Sequence, residues 1–568
     1  MPARSKWVLA EPPPPDRVHA LAAEFALSPA IISLAVQRGF DTPEKLAPFL
    51  YPRLRDLSDP FELPGMTEAV ARIGKAIHTR EKVLLYGDYD VDGVSSLAIL
   101  HKVLGAYGLD AKTFLPQRME EGYGLSREGL ARGLADCSPT LVIAADCGTN
   151  SRDEARHLAG QGIDLVILDH HEPAQEGTAE CVALVNPKLG DRRHYLCTGG
   201  VAFKVAHALL KTYPLPEFDL RQHLDLVSLA TVADIVPVVD ENRIFVRRGL
   251  VQLDRTLNPG ILALKNVVGM RAPARSHDIG FKLGPRLNAS GRLDTAEVSL
   301  ELLLTPDPNR ARVLADELDR RNGERQALEQ RTRDEAERCL HELSAEDRGT
   351  GIVVGGRGWH PGVVGIVASR IVKQYHRPTF VVAIDENGLG KGSGRSVPGI
   401  SLIGAIEACR DLLENGGGHD MAAGISIREE NLPEFQRRFA AHIAATAVNG
   451  ELQPRLHLDA EADFGDLTLD LLDSYELLRP FGNGNPQPVF MSRNVRVLSE
   501  PRVLKEKHLK FRLAQNGAER DALYFNGAEV DLPRPPWDIA YTIDRNEYRG
   551  QTSLTIAIQA VRKASGRG

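Results

Sequence analysis

Lys82-Val83-Leu84-Leu85-Tyr86 runs without a break into Gly87-Asp88-Tyr89-Asp90-Val91-Asp92-Gly93. The apolar run has the length and profile of a strand buried on both faces. The glycine and acids that follow place carboxylates at the strand's C-terminal end. Two runs downstream end the same way: residues 141–145 lead into Asp146, and residues 164–168 into Asp169-His170-His171. Further runs at 112–115 and 182–185 complete the set. Amphipathic stretches at 94–107 and 151–159 separate them, and helical patterns at 201–211 and 220–232 follow. This alternation predicts an α/β domain on a parallel sheet. The carboxyl ends of parallel strands share one edge, so the acids and histidines converge on one cleft. Asp234, at the end of the apolar run 226–233, is placed to close it.

Carboxylates and an imidazole that point together repel one another and lose hydration unless cations neutralise them. Singly, an acid after a strand reads as a helix N-cap and a histidine pair as a satisfied turn. Three strand ends together favour a metal site. Ligands that are mostly carboxylate suit Mg2+ or Mn2+, and an added imidazole tilts the choice toward Mn2+. A carboxylate bridging two such ions sets them ~3.5–4 Å apart, the arrangement used for phosphoryl transfer.

Around this core the chain divides into expected units at 1–60 (helical), 61–240 (catalytic α/β), 241–344 (helical), 345–449 (a second α/β domain) and 450–568 (a β-barrel). Residues 309–343 are rich in Arg, Glu and Ala and free of proline. They predict one long helix, interrupted at Gly323 or continuous, that joins two lobes as a solvated spacer. The second lobe shows strands at 352–354 and 379–384, a helix at 363–375, and glycine-rich loops at 390–396 and 416–424. After residue 450, short alternating strands at 508–513, 538–543 and 553–559 predict a barrel of the OB type.

A formal charge of −7 and a pI near 6.2 exclude a protein that coats DNA by charge alone. The six cysteines form no CxxC pair and suit a reduced, cytoplasmic chain. The N-terminus lacks an apolar core of signal-peptide length, and no apolar run reaches the ~18 residues of a membrane span. A monomer without membrane contact is expected.

Asp169-His170-His171 resembles the signature of the DHH phosphoesterase superfamily, with Asp90-Val91-Asp92-Gly93, Asp146 and Asp234 matching its other acidic motifs in order. Tyr86 to Gly93 and Thr231-Val232-Ala233-Asp234-Ile235-Val236-Pro237 resemble the RecJ family of exonucleases within it. The resemblance runs from about Phe61 to the end of the barrel. It implies that Asp92 and Asp146 hold a metal ion with His170 and Asp234. Asp90 serves a second ion across an Asp146 bridge, and His171 orients a ligand or touches the scissile phosphate. Related pyrophosphatases carry a histidine where Tyr86 stands, which leaves the second ligand set open, with Asp88 as a candidate.

Ser393 and Arg395 in 390–396, and His419 after Gly416-Gly417-Gly418, resemble the phosphate-contacting loops of the DHH-associated domain. Asn288 and Arg292 in the similar segment 284–293 are candidates to reach the cleft. Arg286 is either another or part of a structural ion pair. Trp359-His360-Pro361-Gly362 is either a further contributor to the cleft or, as an aromatic before a helix more often is, a packing staple. In the barrel, Lys510 and Arg512 alternate with apolar residues, and Arg545, Tyr548 and Arg549 lie in a loop, a pattern that suits single-strand binding. The resemblance implies a two-metal exonuclease that degrades single-stranded DNA 5′ to 3′ to 5′-mononucleotides. Single-strand binding protein and a RecQ-type helicase are its implied partners in recombination and repair. The rivals are a phosphodiesterase of short oligonucleotides or cyclic dinucleotides and a noncatalytic DNA-binding scaffold.

Overall fold

A computed structural model describes residues 5–117, 124–190, 195–342, 350–447, 452–548 and 550–564. The first sheet is wholly parallel, in the spatial order Ala111–Phe114, Val83–Gly87, Leu141–Ala145, Asp164–Leu168, Ala183–Val185. Alternate residues feed two cores. Val83, Leu85, Leu141 and Ile143 pack on one face, and Leu84, Tyr86, Val142 and Ala144 on the other. The chain leaves Val83–Gly87 toward one edge and returns on its other side, which opens a crevice between that strand and Leu141–Ala145. Register brings the motifs into line there, because Gly87 pairs with Ala145 and Ala145 with Leu168. Each next residue is therefore Asp88, Asp146 or Asp169.

The connecting helix, Pro308–Glu342, is continuous through Gly323, which sits on its open side. It is not a solvated spacer. Asn322, Arg325, Glu329 and Thr332 are buried along one face. Arg325 donates to Glu329 (2.7 Å) and Asn322 (3.1 Å), and Glu329 also takes Arg370 from the helix Pro361–Tyr375. Charged composition made this face look solvated, but mutual pairing lets it be buried.

The second lobe is a five-stranded sheet in which Ile352–Arg357 runs parallel to Thr379–Ile384. Leu389–Arg395, Ala422–Arg428 and Leu413–His419 follow in antiparallel register. The glycine-rich segments expected as loops are thus largely strand. Their glycines make room for large neighbours, since a Cβ at Gly394 would lie 2.4 Å from the Phe380 ring.

The C-terminal strands form a ring closed by pairing of Phe490–Val497 with His508–Gln515. Its core is shared with the N-terminal helices: Leu21, Ile32 and Phe49 pack in one cluster with Phe490, Trp537 and Tyr541. Lys6–Leu9 adds a parallel pairing with Arg455–Leu458. Among the described residues no single helix is long and apolar enough to cross a membrane.

Arg243 fastens this terminal unit to the catalytic lobe. Its guanidinium is 2% exposed and donates to the carbonyls of Phe49, Leu477, Leu478, Arg479 and Pro480 at 2.7–3.4 Å. Burial without a facing carboxylate lowers its pKa to about 9. Arg275 adds ion pairs to Glu476 and Asp544, which Arg479 also holds. Arg243→Ala removes the bonds of one guanidinium to five carbonyls, of which those of Leu477, Leu478, Arg479 and Pro480 keep a second donor in Arg247 or Asn485; each bond from a charged donor is worth ~1.5–3 kcal/mol. Denaturant unfolding should show a loss above ~3 kcal/mol, and a loss under ~1 kcal/mol would contradict the cage.

Candidate metal centre and nucleic-acid cleft

The helix Val91–Ala106 begins where the first strand ends, and Asp90 is its N-cap, accepting from the N–H groups of Asp92 (2.8 Å) and Gly93 (3.2 Å). The N-cap reading and the site reading of this acid therefore coexist. Asp92 turns inward onto the start of the helix Thr198–Thr212, whose Thr198 and Gly199 N–H groups donate to its two oxygens at 2.8 and 2.7 Å. Oriented amides at a helix N-terminus hold an anion in this way. Thr198 Oγ1 donates to Asp146 at 2.9 Å. The segment Cys197-Thr198-Gly199-Gly200 thus supports two site acids, although it carries no ionised side chain for sequence reasoning to notice.

His170 Nε2 faces Asp146 (3.4 Å), Asp234 (3.5 Å) and Asp92 (3.7 Å). Ligand atoms of Asp92, His170 and Asp234 lie within 4.8 Å of one another, as do those of Asp88, Asp90 and Asp146 and those of Asp146, His170 and His171. All seven catalytic and metal candidates meet, and Asp146 belongs to two of the three groups. Its backbone is left-handed, φ 67°, a conformation that aspartate tolerates better than most residues. Tyr86 is fully buried and sends its hydroxyl to Gly124 O.

Burial and mutual repulsion dominate the electrostatics. Desolvation, then the charge of Asp146, raises Asp92 to about 8. Desolvation and Asp90 raise Asp146 to about 8, and desolvation with Asp92 and Asp146 raises Asp234 to about 9. Asp88 is also pushed well up by burial and by Asp90 and Asp146, and its Oδ1 is buried without a hydrogen-bond partner. Burial opposes a charge on Asp169 too, but its bond to His171 Nδ1 (2.7 Å) and amides from Thr149, His170 and His171 hold it well below the usual carboxylate range. The same bond overcomes burial at His171 and raises it to about 10. Asp169 therefore orients the pair of histidines and keeps the second one cationic.

The other candidates separate. Asn288 Oδ1 accepts from Val91 N at 3.1 Å, so it braces the acidic loop from the helix Gly284–Leu293. Arg292 reaches Gly362 O at 3.5 Å, where the two lobes meet. Arg286 is held by Asp319 (2.8 Å) and Lys282 O (2.7 Å), the structural pairing. Arg395 bonds Ser393 Oγ at 3.1 Å, and both adjoin Gly365, one turn from Gly362. His419 is exposed at a strand end. Trp359 is buried and bonded to Glu335, as a packing residue.

Lys510 and Arg512 do not form a free basic face. Asp521 pairs with both and Glu519 with Arg512, because antiparallel register sets Arg512 opposite Asp521. Arg545 is paired with Asp473. Tyr548 ends a strand paired with Gln551, and Arg549 lies outside the described residues.

Beside Asp234, whose neighbours Ala233 and Ile235 both line it, opens a cleft of about 910 Å³. The catalytic lobe, connecting helix, second lobe and barrel each supply wall. Arg247, Arg275, Arg292, Arg325, Arg370 and Arg479 line it together with Glu329, which pairs with Arg325 and Arg370, and Glu476, which pairs with Arg275 and Arg479; Phe281 is 71% exposed. Of these only Arg292 was expected from sequence. The barrel's share, Glu476 to Gln487, is a turn segment with no alternating pattern, though the string Pro480-Phe481-Gly482-Asn483-Gly484-Asn485-Pro486 was a visible signal.

Three family models match the chain: the DHH family N-terminal domain at residues 82–231, the DHHA1 domain at 349–445 and the RecJ OB domain at 458–560. The chain is 36% identical over 567 residues to the single-stranded-DNA-specific exonuclease RecJ of Bacillus subtilis, covering 98% of this chain and 71% of that protein. It is similar to the crystal structure of RecJ from Thermus thermophilus in complex with Mn2+, with a TM-score of 0.85 and 30% identity over 99% of this chain and 80% of that one. The Mg2+ complex of the same protein gives 0.80 and 29%, over 99% and 79% of the two chains.

The raised carboxylates give the site a proton-linked metal affinity. With Asp92, Asp146 and Asp234 at about 8 to 9, the metal-free site carries protons at pH 7 that a cation must displace. Mn2+ affinity should therefore rise with pH until it passes about 8 to 9, with protons released on binding below that range. Calorimetry in two buffers of different ionisation heat checks this; a buffer-independent enthalpy at pH 7 would contradict it.

Proposed function

The chain belongs to the RecJ family of DHH phosphoesterases, and from that premise we propose that it is a metal-dependent, single-stranded-DNA-specific exonuclease working 5′ to 3′ through this metal centre and cleft. The observation that carries this reading is the pair of groups Asp92-His170-Asp234 and Asp88-Asp90-Asp146, which meet where His170 Nε2 faces Asp146 at 3.4 Å, beside an arginine-lined cleft. Asp92, His170 and Asp234, with Asp146, suit one Mn2+ or Mg2+, and Asp88, Asp90 and Asp146 suit a second. The buried, partnerless Asp88 Oδ1 and the displaced carboxylate pKa values fit cations. When bound, two such ions supply an activated water and stabilise the leaving oxygen.

The chain's own residues do the rest. Asp169 keeps His171 protonated beside Asp146, which offers positive charge to the scissile phosphate. Asn288 holds the acidic loop in place through Val91. The cleft arginines bind the strand's phosphates by exchanging them for the carboxylates of Glu329 and Glu476, which hold Arg325, Arg370, Arg275 and Arg479 in the absence of DNA.

A cleft walled by all parts of the chain favours an extended strand over a dinucleotide. The full acidic set favours catalysis over a scaffold role. Products are 5′-mononucleotides, and the supply of single strands calls for a duplex-unwinding partner of the RecQ type. Single-strand binding protein is the natural competitor or delivery partner in recombination and repair. Strands labelled at either end, digested with and without Mn2+, test the polarity.

Asp146→Ala should lower turnover by more than the roughly 10–100-fold typical of outer-shell changes, with the fold intact. Retained activity in saturating Mn2+ would reassign the site. A terminal 5′ phosphate carries more charge than an internal one and suits Ser393 and Arg395. Arg395→Ala should reduce the preference for 5′-phosphorylated over 5′-hydroxyl strands, measured by kcat/KM on both, while Mn2+ affinity holds. Equal slowing of both substrates would move the terminus to Arg292.

A further inference from the structure

Ile235, immediately after Asp234, has φ 61°. A β-branched residue in the left-handed region is a true outlier, and such a conformation persists only where its surroundings impose it. The helix Leu224–Ala233 has ended, with Asp234 as its C-cap, and the Ile235 side chain is 69% exposed, so packing does not impose the conformation. The barrel-side turn does. Asn483 Nδ2 donates to Ile235 O at 2.8 Å, across 248 residues of sequence, and Val238 N donates to Asn483 O at 2.7 Å. The two bonds bracket the strained segment.

The turn that delivers them is itself fixed. Gly482 and Asn485 exchange backbone bonds at 3.0 and 3.2 Å, and Asn485 Nδ2 donates to Leu478 O and Pro480 O. Gly482 lies so close to the catalytic lobe that a Cβ there would be 2.7 Å from Val238 Cγ2. The same turn, through Phe481, Asn483 and Gln487, forms part of the cleft wall.

We infer that Asn483 is a positioning residue for the metal centre: by holding Ile235 in the left-handed conformation it sets the Asp234 carboxylate. The barrel then completes the centre as well as walling the cleft. This rests on the reading of Asp234 as a metal ligand.

Full-length Asn483→Ala, titrated calorimetrically with Mn2+ in the absence of DNA, is expected to bind roughly ten-fold more weakly, the scale of an outer-shell partner. Its thermal midpoint should stay near that of the parent. Asn483→Asp keeps the size and the backbone bond from Val238 but removes the donor to Ile235, and is expected to show the same loss; it serves if the alanine variant folds poorly. Adding Ile235→Gly to either should recover most of the affinity, because glycine adopts a positive φ without steric opposition. Asp234→Ala is the control. If it leaves Mn2+ binding unchanged, the ligand reading itself fails. If it weakens binding while both Asn483 variants bind like the parent, the ligand reading stands and the positioning role is overturned. A loss that Ile235→Gly does not recover also overturns it.

Discussion

Asp88, Asp90, Asp92, Asp146 and Asp234 crowd one crevice against their own repulsion and against the loss of water, and the surrounding structure answers that constraint. Partial compensation comes from neutral donors. The first amides of two helices turn toward Asp90 and Asp92, and Thr198 bonds Asp146. The remainder stays unbalanced, with Asp88, Asp92, Asp146 and Asp234 raised far above the carboxylate norm, an imbalance that bound cations would relieve. Asp169 is the exception that defines the rule. It stays ionised, with both oxygens taken up by amide donors and a histidine.

Around this crevice the chain closes on itself. N-terminal helices and C-terminal barrel share one hydrophobic core, so the two ends of the sequence act as one body. That body is fastened to the catalytic lobe by the guanidinium groups of Arg243 and Arg247, which bond backbone carbonyls, and by the ion pairs of Arg275 with Glu476 and Asp544. Backbone carbonyls do not titrate as carboxylates do, so acid cannot open this cage. The cleft lies between these fixed bodies. Its shape therefore depends on contacts remote from the metal-binding residues.

The basic character needed to hold a polyanion arises in the same way. A chain of net charge −7 has no surplus to spread. Its cleft wall gathers arginines from four regions, several of them paired with Glu329 or Glu476, and the barrel's strand-borne Lys510 and Arg512 are likewise paired with Asp521 and Glu519. Charge placement by tertiary structure, not composition, makes the proposed binding surface.

By itself the sequence determined the α/β core and the membership of the acidic centre. Strand-to-acid junctions at Gly87, Ala145 and Leu168 leave a parallel sheet no alternative but to bring Asp88, Asp146 and Asp169 to one edge. Helix composition likewise showed Pro308–Glu342, and alternation showed the barrel. What only the tertiary structure decided were contacts without a side-chain signature or dependent on register. Arg243 binds carbonyls, which every residue possesses. The glycine segments became strands because Phe380 and its neighbours needed their space. Arg512 lost its freedom because register set it opposite Asp521. Asn483 meets Ile235 because a closed fold carries a barrel turn to the metal centre, and no local pattern records a hydrogen bond between segments so far apart along the chain.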